Sequence, residues 1–426
     1  MSLSSLFRFR VVSSPRYFSF KLAQRTGRNS LICQQCSPAA SNRTQLVFWR
    51  ARATALVPGI SERLQSTKAH HPDTREPAEA QQETFDPRYP PWFPPTKGIL
   101  SKLPPKWVPY AELMRIEKPG GLYGFYMAYL IGLGYGACLV TPMVPPATLA
   151  GTAGILLMYN VFLRGAACTI NDVLDRDYDR QVARCRSRPV ARGAVTPAQG
   201  YVWYAAQTVI VGASIACLPN PLLAMAYAVP IQFLVSVYPL GKRFTDFPQL
   251  ILSAPIAGGI LMAAASIGMD PFHMPTLALA GATATLAMSH YIWTTVFDYV
   301  NACQDTADDI KAGVRSMAVR YQNTDIFISA MGAAQVGCLI ATGVLAGFSP
   351  IYFIGAAGGN ALWLAAMVKT VKRSRPDICA WWFSWGGLLV SGTTVLALVA
   401  EYCYKLQSGE GEGGELQDVQ RKAIEA

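Results

Sequence analysis

The sequence predicts an all-α fold: a multispan membrane protein with about nine transmembrane helices around a central cavity. Three observations carry this. Of the 426 residues, 51% are hydrophobic and only 15% are charged, against roughly 25% charged in soluble domains. Apolar runs close to the roughly 20 residues that cross hydrocarbon recur along the chain. The links between these runs alternate between basic and nearly uncharged, as the positive-inside bias requires of successive crossings.

The first element is a basic arm. Residues 1–61 carry nine Arg or Lys and no acidic residue, Glu62 being the first. The rest has 28 basic against 26 acidic residues, so the net charge of +11 belongs almost wholly to this arm and indicates no nucleic-acid partner. Arg8, Arg10 and Arg16 interrupt its apolar residues. That removes a secretory core and leaves the composition of a mitochondrial presequence. Residues 1–66 are read as this disordered targeting segment, with Arg16-Tyr17-Phe18-Ser19 or a site near Arg63-Leu64-Gln65-Ser66 suiting cleavage. Cys33 and Cys36 fall inside it, with no second pair to complete a zinc site.

Residues 67–105 are a linker, stiffened by Pro90, Pro91, Pro94, Pro95, Pro104 and Pro105. From Trp107 to Pro119 apolar and charged residues mix at helical spacing, which suits a helix lying at the membrane interface. Residues 106–402 hold the nine apolar spans: 120–140, 148–170, 198–217, 221–240, 249–268, 276–297, 326–346, 351–369 and 379–400. Residues 403–426, rich in Gly and Glu, read as a disordered tail. Polar residues inside the spans, namely Asn160, Gln207, Gln232, His290 and Asn360, are expected to hydrogen-bond between helices.

Links 180–192, 241–247, 311–320 and 369–375 are basic, the first with five Arg. Links 141–147, 218–220, 269–275 and 347–350 are nearly bare. Every chemically rich loop therefore faces one aqueous side, the matrix if the chain enters the mitochondrial inner membrane. A transporter would concentrate its polar groups at mid-membrane instead.

Two aspartate-rich segments lie on that side. Asn171-Asp172-Val-Leu-Asp175-Arg-Asp-Tyr-Asp179 places Asp172, Asp175 and Asp179 on one helical face. Gln304-Asp305-Thr-Ala-Asp308-Asp309 does the same for Asp305, Asp308 and Asp309. Gathering like charges costs about 0.2–0.5 kcal/mol per exposed pair, which makes sense if a cation sits between them. A hard divalent ion such as Mg²⁺ takes oxygen ligands and holds phosphates. Asn171, Asp172, Asp175 and Asp179 would hold one Mg²⁺, and Asp305, Asp308 and Asp309 another. Asp172, Asp175, Asp179, Asp305 and Asp309 are the candidate catalytic carboxylates. Arg164 lies two turns before Asn171 and deeper in its span, where a lone Arg costs roughly 2.5–3.5 kcal/mol. Either an aspartate pairs with it, or its planar fork binds the carboxylate of a substrate.

These segments resemble the UbiA superfamily of intramembrane prenyltransferases, whose first signature is Asn-Asp-x-x-Asp-x-x-x-Asp. The stretch from Asp179-Arg180 to Arg188-Pro189 is similar to the 4-hydroxybenzoate polyprenyltransferase branch. Arg115-Ile-Glu-Lys118-Pro119, Tyr238-Pro-Leu-Gly-Lys242-Arg243 and Trp293 to Asp298 resemble the family's other landmarks, so the likeness covers about residues 105–400. It implies that Arg184, Arg188, Lys242 and Tyr238 bind diphosphate and that Arg164 binds the acceptor's carboxylate. Asn301 stands where the family's second motif has Tyr, and Cys185 where Thr is usual, so Asn301 is expected to alter the acceptor site. The Gly-rich first span also differs from ubiquinone-pathway members, although ordinary helix packing accounts for glycines there.

The implied reaction is Mg²⁺-dependent transfer of a prenyl chain from a polyprenyl diphosphate to an aromatic carbon of a phenolic acid. The leading acceptor is 4-hydroxybenzoate, in ubiquinone synthesis. The alternative is a farnesyltransferase acting on a phenolic polyketide acid in meroterpenoid synthesis, and the distant one a transporter. The partners are these substrates and the bilayer; no protein partner is readable.

Overall fold

Proline starts most of the long helices. At the first helical position its missing N–H costs nothing and its φ is already helical. The computed structural model describes residues 91–408; residues 1–90 and 409–426, with the expected presequence and most of the tail, lie outside the described residues. Seven long helices begin this way: α2 (Pro119–Ala137), α3 (Pro146–Leu174), α5 (Pro197–Ala216), α6 (Pro221–Val237), α7 (Pro248–Ser266), α12 (Pro350–Thr370) and α13 (Pro376–Ser408). The other two are capped by side chains: Thr276 accepts from Leu279 N before α8 (Leu277–Ala302), and Asn323 from Ile326 N before α11 (Thr324–Ala346). Short helices lie between them: α1 (Val108–Leu113), α4 (Arg176–Asp179), α9 (Thr306–Ala312) and α10 (Met317–Arg320).

All nine expected spans thus stand as long helices among the described residues, and no strand occurs there. Six of them, α3, α6, α7, α11, α12 and α13, are long and apolar enough to cross a membrane. The count of nine crossings is therefore not reached on that measure. In α2, α5 and α8 the Gly, Gln, Thr and aromatic residues dilute the apolar content. Two boundaries move. The interfacial helix is shorter than expected, because the chain turns left-handed at Arg115 (φ 55°). The last helix runs through Ser408 and takes in the start of the expected tail.

Helix α2 packs against α3, α7 and α13, and α8 packs against α7 and α11. The glycines of α2 permit these approaches. A Cβ on Gly132 would lie 2.1 Å from Ile260 O on α7, and one on Gly387 of α13 would lie 2.6 Å from Gly124 Cα. The Gly-rich first span is accordingly a packing surface. Interhelical hydrogen bonds form where expected: Asn160 to Leu122 O, Gln207 to Thr169, Gln232 to Tyr204, and Gln335 to Asn360. His290 departs from this, being 3% exposed with an Nε2 that finds no hydrogen-bond partner.

Alternate crossings bring the N-terminal ends of α2 and α7 beside the C-terminal ends of α3, α6 and α8. The residues that line one cavity come from those ends and their loops, with Trp92, Glu112 of α1 and Phe383 of α13.

Candidate active site

The first motif sits on the last turn of α3. The helix stops after Leu174, Asp175 leaves helical geometry (φ −91°, ψ 8°), and α4 resumes at Arg176. Asp172, Asp175 and Asp179 are 0%, 2% and 5% exposed. The second motif follows α8, with Asn301 on its final turn and Asp305 immediately before α9. Asn171, the three aspartates of the first motif, Asn301, Asp305 and Asp309 all line one cavity of about 400 Å³. Asp308 is not in its wall. The two motifs, far apart in sequence, therefore face one space.

Arginines stand between the carboxylates. Arg115 Nη2 reaches Asp172 Oδ1 at 2.6 Å, and Arg188 Nη1 donates to both oxygens of Asp179, at 2.9 and 2.8 Å. Arg184 donates through Nε to Asp305 Oδ1 at 2.8 Å and through Nη2 to Oδ2. Among the described residues no three carboxylate, imidazole or thiol groups gather around one metal position. Asp172, Asp179 and Asp305 are each paired with a guanidinium group instead.

Arg164, Tyr238, Arg184 and Arg188 line the same cavity, while the side chain of Lys242 lies outside the described residues. Among the described residues Arg164 pairs with no aspartate. Nη1 donates to Met114 O and Arg115 O, and Nη2 to Lys118 O. Of the two alternatives for Arg164, the salt bridge to an aspartate does not form; three backbone carbonyls accept from it instead.

Several wall residues were not singled out by sequence. Lys118 opens on the cavity, and desolvation, with the charge of Arg115, lowers its ammonium from the ordinary value. Glu117 lines the cavity with Oε2 buried and unpartnered. At the mouth, Glu112 accepts from Trp92 Nε1 at 2.7 Å and from Arg192 Nη2 at 2.6 Å, and Arg192 lies over the Trp92 ring at 4.2 Å. In the sequence Arg192 is one of the five arginines of the basic link 180–192. Motif position was the one available signal for Arg115, Glu117 and Lys118; Trp92 and Glu112 had none. Phe125, Val235, Leu252 and Phe383 supply apolar wall.

Among the described residues, eight carboxylates face seven cationic side chains in this wall. The site is nearly charge-balanced as it stands. A polyanionic ligand would upset that balance unless cations entered with it.

An ionic cavity thus lies in a bundle of long apolar helices. The chain belongs to the UbiA prenyltransferase family, which matches residues 127–392. It is 38% identical over 283–293 residues to relatives of this kind; one is the mitochondrial 4-hydroxybenzoate polyprenyltransferase of Saccharomyces cerevisiae, aligned over 67% of this chain and 74% of that protein. A DMOA farnesyltransferase of Aspergillus novofumigatus is 36% identical over 71% of this chain and 94% of that protein. Among solved structures, a UbiA homolog from Archaeoglobus fulgidus bound to GPP and Mg²⁺ shares the fold, with a TM-score of 0.50 and 17% identity over 69% of this chain and 99% of that one.

Proposed function

We propose that this enzyme transfers a prenyl chain from its diphosphate to a ring carbon of a phenolic acid, with Mg²⁺. The observation that carries the reading is the convergence of both aspartate motifs, Arg184 and Arg188 on one cavity that also has apolar wall. Asn171, Asp172, Asp175, Asp179, Asp305 and Asp309 would hold the metal. The donors are hard oxygens, and Asp172 Oδ2 is buried without a hydrogen-bond partner, so the set suits Mg²⁺. The ion would supply Lewis-acid stabilisation of the departing diphosphate.

The chain's own residues do the rest. Arg184 and Arg188 exchange carboxylate for phosphate oxygens as the diphosphate enters, with Lys118 and Tyr238 in the same cavity wall and Lys242 proposed from its motif alone. The allylic carbon–oxygen bond breaks and its electron pair leaves with diphosphate. The ring carbon ortho to the phenol forms the new carbon–carbon bond, and the ring proton passes to a wall carboxylate or to diphosphate. Phe125, Leu252 and Phe383 keep water from the cation.

The leading acceptor is 4-hydroxybenzoate with a long polyprenyl diphosphate, in the mitochondrial inner membrane. The basic N-terminal arm and the yeast relative support it. A farnesyl transfer to a bulkier phenolic polyketide acid is the second reading. It is favoured by Asn301, which offers a smaller side chain than Tyr to the cavity wall, and by the Aspergillus relative's name. Membranes carrying the chain, Mg²⁺, and farnesyl or long-chain diphosphate are offered each acceptor, and products are identified by mass. Prenylated 4-hydroxybenzoate supports the first reading. Product from the polyketide acid alone replaces it with the second.

A further inference from the structure

Arg164 is the cation that the family resemblance aims at the acceptor's carboxylate, and its surroundings give it different work. It is 7% exposed. Nη1 donates to Met114 O at 3.2 Å and to Arg115 O at 3.1 Å, and Nη2 donates to Lys118 O at 3.0 Å. All three acceptors belong to the turn that joins α1 to α2. The edge formed by Nη1 and Nη2 is therefore committed to backbone.

The other edge, Nε with Nη2, faces Gly121. A Cβ placed there would lie 2.8 Å from Nε, 2.8 Å from Nη2 and 3.2 Å from Cζ. Equal distances to the two nitrogens, with the carbon farther away, put that point in the guanidinium plane, directly in front of the edge. A carboxylate oxygen shared by this edge would occupy the same point, one carbon–carbon bond from Gly121 Cα. The α2 backbone thus closes the fork that two-point carboxylate recognition needs.

The turn so held is unusual. Arg115 has φ 55°, the one positive φ outside glycine among the described residues. That conformation is disfavoured for a residue with a Cβ and persists where surrounding bonds over-determine it. Besides the bond from Arg164, Arg115 O accepts from Lys118 N at 3.0 Å, and Arg115 Nη1 donates to Glu112 O at 3.0 Å. The turn points the Arg115 side chain at Asp172 and places Lys118 on the cavity.

We infer that Arg164 is a positioning residue: it fixes the Met114–Lys118 turn so that Arg115 and Lys118 face the first aspartate motif, and it does not bind the acceptor's carboxylate. The inference rests on the proposed meeting of a diphosphate and a phenolic acid in this cavity.

The test uses Arg164→Lys, Arg164→Ala and Gly121→Ala in the full chain, in membranes. The first readout is binding of inorganic pyrophosphate with Mg²⁺, which involves no acceptor. The second is kcat and KM for an acidic phenol and for its methyl ester. A positioning role predicts at least tenfold weaker pyrophosphate binding in Arg164→Ala and Gly121→Ala, with Arg164→Lys between them and the unaltered chain. It also predicts the same fractional loss of kcat/KM for acid and ester. Unchanged pyrophosphate binding, or a rise in KM confined to the acid, would overturn it. Gly121→Ala keeps the guanidinium and adds one methyl group, so it stands as the second variant if Arg164→Ala does not fold. If the unaltered chain binds pyrophosphate but prenylates neither acceptor, the proposed function fails, and the positioning role is still decided by the binding series.

Discussion

Arg184 and Asp305, 121 residues apart, form a two-point ion pair, Nε to Oδ1 at 2.8 Å and Nη2 to Oδ2, that ties the loop after the first aspartate motif to the second. The pair is partly buried, with side-chain exposures of 30% and 12%. A hydrogen bond to a charged group contributes about 1.5–3 kcal/mol. Replacing Arg184 with Ala leaves Asp305 without this cation and removes a phosphate donor. The expected result is a roughly 10- to 100-fold fall in kcat/KM for the prenyl diphosphate, read by steady-state kinetics at saturating acceptor.

Arg188 holds both oxygens of Asp179 through one nitrogen and lies 3.4 Å from Asp172. A lysine keeps the charge but not the planar, rigid donor set. Arg188→Lys is expected to retain the fold, measured by thermal denaturation in detergent. It should still lose about tenfold or more in kcat/KM, closer to Arg188→Ala than to the unaltered chain.

The loops around the second motif are latched separately. Arg315 Nε reaches Asp246 Oδ1 at 2.6 Å and Arg320 Nη1 reaches Oδ2 at 3.0 Å. The hydrogen bond from Arg315 is the main cause that lowers the Asp246 carboxyl below its ordinary 3.8. A depressed folded value means the latch stabilises above the unfolded value and is lost as pH falls through the folded one. Thermal denaturation of Asp246→Asn is therefore expected to differ from the unaltered chain at neutral pH. The difference should shrink as pH drops below about 4.

Arg373 is a second clamp, this time on the loop after α8. It donates to Tyr299 Oη, Thr306 Oγ1 and Thr324 Oγ1, and to the carbonyls of Ala318 and Tyr321. Arg373→Ala is expected to lower the denaturation temperature, because several part-buried acceptors lose a charged donor. It should lower kcat as well, because Thr306 adjoins Asp305.

Close helix approach gives a further test. Gly132→Ala would push a methyl carbon to 2.1 Å from Ile260 O, against backbone that cannot yield cheaply. Overpacking costs about 1–3 kcal/mol, and more at such a distance. A lower denaturation temperature, or failure to recover folded protein, is the expected outcome.

What was legible in the sequence follows from what each residue must pair with. Asp172 and Asp305 stand out because acids in apolar surroundings need a cation. The helix starts were legible to within two residues from apolar content, with spans expected from 120, 148 and 249 against helices from Pro119, Pro146 and Pro248. Glu112 and Trp92 were not, because their partner Arg192 comes from a loop that only the fold brings near. The partners of Arg164 were invisible for a different reason: backbone carbonyls leave no mark in the amino-acid sequence. The family resemblance marks Arg184 and Arg188 as phosphate ligands, and Arg115 only as part of a motif. That they engage the carboxylates themselves depends on a packing geometry that periodicity does not carry.

The most direct measurement is diphosphate release from farnesyl diphosphate in the presence of a phenolic acid, with Mg²⁺, with chelator, and with Mg²⁺ restored. It is made on the unaltered chain, on Asp172→Asn and on Asp305→Asn. If both motifs act on one diphosphate, release depends reversibly on Mg²⁺. Either substitution alone then removes about 99% of it or more, equal to about 2.7 kcal/mol of transition-state stabilisation. Release that persists in either folded variant, or that ignores chelation, would contradict the account.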